Sequence, residues 1–232
     1  MKKLIAILLI TVFCLASCKA DTENIDPVRV GFENFEPEAY SFTLRVELEG
    51  KKCVLLASGD IKLTYSPNTL SGEIEETVFG AGIGIMKISW KDGTLTTDGR
   101  DESVTWEELR GSLTYAVPLV FENDEISSAS SGVTKKGTKY RHEIKDNSKN
   151  DLLYSLLGEG LPEICGLAKV VKEKTKFEDI LCEYVIGTDG TPVSYGISFN
   201  VIYQDTPPYV PGVQQDEAEY TTDVRIEFLI NY

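Results

Sequence analysis

From position 40 the chain alternates between apolar and polar residues. Tyr40, Phe42, Leu44, Val46 and Leu48 are separated by Ser41, Thr43, Arg45 and Glu47. Successive side chains of a strand point to opposite faces, so this pattern predicts a strand over 40–48 with one face buried. The same period predicts strands over 61–65, 70–79, 83–90 and 94–97. Gly50-Lys51-Lys52 and Ser66-Pro67-Asn68 read as turns, and Asp92-Gly93 as a tight hairpin turn. At 103–115 the period changes. Trp106, Leu109 and Leu113 recur at helical spacing, Thr105 with Glu108 has the form of a capping box, and Pro118 follows. A short helix is predicted there, and a second over 150–157, stopped by Gly158, Gly160 and Pro162. A hairpin is predicted from 125–130 and 137–145. Strands return at 167–173, 177–186, 193–203 and 224–232, with a turn at Asp189-Gly190 and an extended proline-rich loop over 206–212.

Strands, two short helices and strands again, with alternating rather than continuous apolar runs, predict an α+β chain that is mainly β. The expected architecture is a large curved antiparallel sheet with a single dominant buried face. The helices are too short to form a bundle of their own and are expected on the concave face, as in an incomplete barrel.

The first residues change the picture of where such a domain sits. Lys2 and Lys3 precede an apolar run over 4–13, which is about the length of a signal-peptide core and too short for a span. Leu15-Ala16-Ser17-Cys18 follows and resembles the bacterial lipobox. That resemblance implies diacylglycerol on the Cys18 sulfur and cleavage before it. The alternatives are an ordinary cleavable signal and an uncleaved anchor. Two acyl chains would hold the protein on a membrane without spanning it, since each buried CH₂ contributes about 0.8 kcal/mol. Lys19 follows the cysteine rather than Asp, which favours an outer-membrane address in a Gram-negative cell. The expected organisation is a signal peptide at 1–17, a flexible tether at 18–35 and one domain at 36–232. Val28, Val30 and Phe32 leave an edge strand as the alternative within the tether.

Composition removes several functions. Of 232 residues, 42% are hydrophobic and 26% charged, which is a globular balance rather than that of a disordered tail. The formal net charge is −14, so phosphate backbones repel the chain and nucleic acid is not an expected partner. His142 is the single histidine, which excludes any site needing two imidazoles. As a general base it lacks a GxSxG or SxxK partner. Gly80-Ala81-Gly82-Ile83-Gly84 does not lead into a helix and lacks the GK[ST] of a phosphate loop, so a bulged strand or a lid is expected. The carboxylates at Asp98, Asp101 and Glu102, and at Asp216, Glu217 and Glu219, are expected on solvated loops. Neither catalysis, nor a metal, nor a cofactor is expected.

The 137–144 (GTKYRHEI), 191–203 (TPVSYGISFNVIY) and 223–232 (DVRIEFLINY) segments, behind a lipobox, resemble the bacterial half-barrel lipid-carrier superfamily, which includes periplasmic lipoprotein chaperones. The resemblance spans 42–232. It implies a half-barrel whose cavity, between sheet and helices, holds acyl chains. On that reading Tyr195, Phe199, Tyr203, Val224, Phe228, Trp106 and Leu109 line the cavity, with a closed core of the same residues as the alternative. The expected function is a membrane-anchored envelope lipoprotein that binds a lipid-like ligand without catalysis, and the expected state is a monomer. The alternative is a β-rich interaction or adhesion module presenting the 206–212 loop. Cys165 and Cys182 are a possible disulfide; three reduced thiols, Cys53 included, are the other outcome.

Overall fold

The alternating segments form the strands of one large open antiparallel sheet. In a computed structural model of the chain, the described residues are 26–33, 35–48, 52–112, 120–148, 153, 172–205 and 220–232. The N-terminal strands are β1 (Ala39–Leu48), β2 (Lys52–Tyr65), β3 (Asn68–Val78), β4 (Ala81–Lys91), β5 (Thr94–Thr97) and β6 (Arg100–Ser103). The C-terminal strands are β7 (Ile126–Thr134), β8 (Gly137–Ile144), β9 (Lys176–Ile186), β10 (Pro192–Asp205) and β11 (Tyr220–Asn231). Their order across the 11-stranded sheet is β6-β5-β4-β3-β2-β1-β11-β10-β9-β8-β7. In each half, strands that follow one another in the chain are neighbours in the sheet. The halves join where β1 pairs with β11, from Ser41 opposite Asn231 to Leu48 opposite Val224.

Turn chemistry sets this rhythm. Asp92 and Gly93 both have positive φ, 51° and 84°, as a two-residue hairpin of the favoured twist requires. Asp98 and Gly99 repeat it at 50° and 75° and create β6, an all-exposed strand over residues expected to be a loop. The expected bulge near Gly84 is present: the β3·β4 register shifts between Glu76 and Thr77. A second shift at Val46/Glu47 puts both Val54 and Leu55 in the core and hides the alternation of early β2.

Two helices among the described residues flank the strands. The segment expected as a tether contains α1 (Pro27–Phe32), so that expectation fails over these residues, as does the edge-strand alternative. Asp26 Oδ1 accepts a hydrogen bond from the Val28 amide at 2.9 Å, and Pro27 opens the helix, where its missing N–H costs nothing. Val28 and Phe32, four residues apart, are both buried. The expected capping box precedes α2 (Trp106–Ser112). The Glu108 amide donates to Thr105 Oγ1 at 3.2 Å, and the Thr105 amide donates to Glu108 Oε2 at 2.8 Å. At the end of the expected 167–173 strand, Lys172–Lys174 is a 3₁₀ turn, while 167–171 lie outside the described residues. Of the second expected helix only Leu153 is described, helical and buried.

Within the sheet Gly72 marks a close approach. A Cβ there would lie 2.5 Å from the Asp60 carbonyl oxygen and 2.5 Å from Ile61 Cδ1. Backbone cannot give way as a side-chain end can, so Gly72→Ala is expected to destabilise the fold by about 1–3 kcal/mol. Urea unfolding checks this as a lower midpoint at unchanged slope.

Candidate functional site

One face of the sheet carries the core. Across its middle, Phe42 faces Gly59 on one side and Ile230 on the other, Tyr195 faces Ile230, and Tyr195 in turn faces Tyr184. Phe199 faces Ile226, and Val201 faces Val224. This period-2 set belongs to a single buried cluster that also takes in Val28 and Phe32 of α1 and Trp106 and Leu109 of α2.

The seven residues expected to line a cavity all fall in or against this cluster, in two groups. Tyr195, Phe199, Tyr203 and Val224 are buried on β10 and β11, with Phe228 half-buried beside them, its ring 6.2 Å from that of Phe42. Trp106 and Leu109 sit against the other half of the sheet. The Trp106 ring is 5.0 Å from Trp90 and 6.1 Å from Tyr65. Trp90 Nε1 donates to the Val104 carbonyl at 2.7 Å, which ties β4 to the residue just before the capping box of α2. On the opposite half, Tyr184 gathers Phe32 at 6.1 Å, His142 at 5.4 Å and Tyr195, stacked at 5.4 Å.

Several polar groups interrupt the greasy surface, Thr175 and the Tyr40 hydroxyl among them, and three bear on the site. His142 is buried beside Tyr184, and burial lowers its pKa, partly offset by the charge of Asp26. The Tyr184 hydroxyl is pushed well above its ordinary range, first by burial and then by Cys182. The third is Glu76, which sequence reasoning missed. It faces Ala57 on β2 and Gly84 on β4 and is 6% exposed. Among the described residues its Oε1 has no hydrogen-bond partner. Burial and the nearby Asp98 carboxylate push its pKa up to about 7. The missed signal was phase: Glu76 falls on the same alternation as Leu70, Ile74 and Val78. Ala57 and Gly84 thus flank a buried carboxyl group, with the Asp98 carboxylate nearby.

The remaining expectations fall as follows. Cys182 is buried on β9, and Cys165, the other half of the possible bridge, lies outside the described residues. Cys53 is half-buried on β2. Cys18 and the 206–212 loop lie outside the described residues. Among the described residues, no cluster of three or more His, Cys, Asp or Glu could hold a metal ion, and no helix is long and apolar enough to cross a membrane. No protein-family model matches the chain, and no curated protein matches it.

Proposed function

We propose that the protein is a membrane-anchored envelope lipoprotein, lipidated on Cys18, that binds a lipid-like ligand against its buried sheet face without covalent chemistry. In this reading the sheet curves as a half-barrel and α1 and α2 lie on its concave side. What supports the placement of the helices is that both contribute buried apolar residues to the cluster formed by one sheet face.

The observation that carries the proposal is Glu76. A closed apolar core gains nothing from a carboxyl oxygen without a partner; leaving such a group unmet costs about 1–3 kcal/mol. An amphiphile whose polar end donates a hydrogen bond removes that cost while its apolar body rests on the aromatic face. The competing reading, an interaction module with a solid core, draws on the complete burial of Tyr203 and Val224.

Native mass spectrometry of the protein released gently from its host membranes separates the two. A ligand binder is expected to carry one amphiphile beyond its N-terminal lipid, and Glu76→Leu to reduce the loaded fraction about tenfold, the loss of one charge-assisted hydrogen bond. Preparations uniformly at the mass of the lipidated chain alone would support the interaction module instead.

A further inference from the structure

The two edges of the open sheet are built differently. The β6 edge is four residues long, Arg-Asp-Glu-Ser, and three of the four carry charge. Short length and charge are the usual protection against strand addition. The β7 edge has neither. It runs nine residues, Ile-Ser-Ser-Ala-Ser-Ser-Gly-Val-Thr, with no charge and no proline, and everything after Ile126 is exposed on both faces. Val133, near its tip, is 91% exposed. Among the described residues its backbone is paired on one side only, with β8.

Charge decides the occupant. The protein as a whole is strongly acidic, yet residues 126–141 contain Lys135, Lys136, Lys139 and Arg141 and no acid. Lys139 pairs with Glu183 at 2.7 Å and Arg141 with Glu143 at 3.4 Å. Among the described residues, Lys135 and Lys136, exposed at the hairpin tip, have no ion-pair partner. Asp124 and Glu125 stand at the opposite end of β7, just before its first residue.

A strand with cations at one end and anions at the other complements itself when paired antiparallel about a two-fold axis. With Ser130 facing Ser130 of a second copy, Ser128 faces Gly132, and the Lys135-Lys136 turn of each copy comes to lie beside the Asp124-Glu125 turn of the other, past the bulge at Ser127, so that this charged contact occurs twice. We propose that β7 is a homodimerisation edge in this register, joining two sheets into one continuous sheet through backbone hydrogen bonds. The contact runs along a stretch, 126–141, that holds no acid although the molecule as a whole is strongly acidic.

Cysteine cross-linking of the full chain in detergent tests it. Directly facing residues of an antiparallel pair have Cα atoms about 4.5–5.5 Å apart, within disulfide reach. Ser130→Cys is therefore expected to yield a covalent dimer on oxidation, above the level of the parent protein with its native thiols. Ser128→Cys, whose copies lie about 14 Å apart in this register, is not. Reversing charge at Lys135→Glu with Lys136→Glu is expected to weaken the dimer about tenfold or more in sedimentation, and adding Asp124→Lys with Glu125→Lys to restore it. Equal cross-linking of the two cysteine variants, or a parent that sediments as a monomer at every concentration, would overturn the proposal.

Discussion

Phe199→Ala is expected to remove about 3–5 kcal/mol of stability, the usual loss when a fully buried ring leaves a cavity behind. Phe199 is 2% exposed on β10, faces Ile226 of β11, and packs its ring 6.0 Å from that of Phe177. The strands on either side are held by their own ladders, so the site cannot collapse onto the void. Against a total of about 5–15 kcal/mol for a folded domain, this is about a fifth or more of what holds the native state. For a chain of this size the thermal midpoint should fall by roughly 10–15 °C. Leu229 supplies the control. It lies on β11 with its side chain on the other face, 45% exposed, and Leu229→Ala should change stability by no more than about 0.5 kcal/mol. Chemical denaturation of both variants reads the contrast directly. Equal losses would mean that the outer face is also covered in solution.

The second large effect is a pH dependence carried by Glu76. Its carboxyl titrates near 4.5 in an unfolded chain and at about 7 in the fold, raised first by burial and then by Asp98. Below the lower value both states hold the proton and pH has no effect through this group. Between the two values the unfolded state ionises while the folded state keeps its proton. The native state then binds more protons, and stability falls as pH rises. The full shift, discounted for the part of the carboxyl that water still reaches, corresponds to a loss of about 1–3 kcal/mol, complete above about pH 7. Glu76→Gln removes the titration, so the gap between wild type and variant should open in that window and then stay constant. His142, whose pKa is lowered, contributes the opposite slope below its ordinary value. It is present in both proteins and drops out of the difference. Urea unfolding across the range measures it, and a gap that does not change with pH would refute the assignment.

Much of the fold was legible wherever one physical signal acted alone. The unbroken alternation at 193–203 and 224–232 reappears as β10 and β11, and the Asp92-Gly93 turn and the Thr105/Glu108 capping box are where their chemistry placed them. Misses occurred where a strand is specified by its neighbours rather than by its own burial. β6 and most of β7 are exposed on both faces, so no apolar period marks their full length. In early β2 the bulge opposite Val46 and Glu47 breaks the period that would have identified it. α1 is a single capped turn and a half, with only Val28 and Phe32 to announce its buried side. The candidate site was half visible. Its aromatic positions follow from alternation, whereas Glu76 was passed over because an acid in phase with apolar residues looks, in one sequence, like the solvent side of a strand.

The pairing of β1 with β11 in the middle of the sheet has a consequence for the birth of the molecule. Each half can zip locally as it emerges, but the seam between them joins Ser41 to Asn231, nearly the whole chain apart. The loop that must close before this contact yields anything is almost as long as the protein, so its contact order is high and its folding correspondingly slow. Until β11 has been made, the β1 edge, with Phe42 and Val46 beside it, lacks this neighbour. An unpaired edge beside apolar side chains favours association between incompletely folded chains.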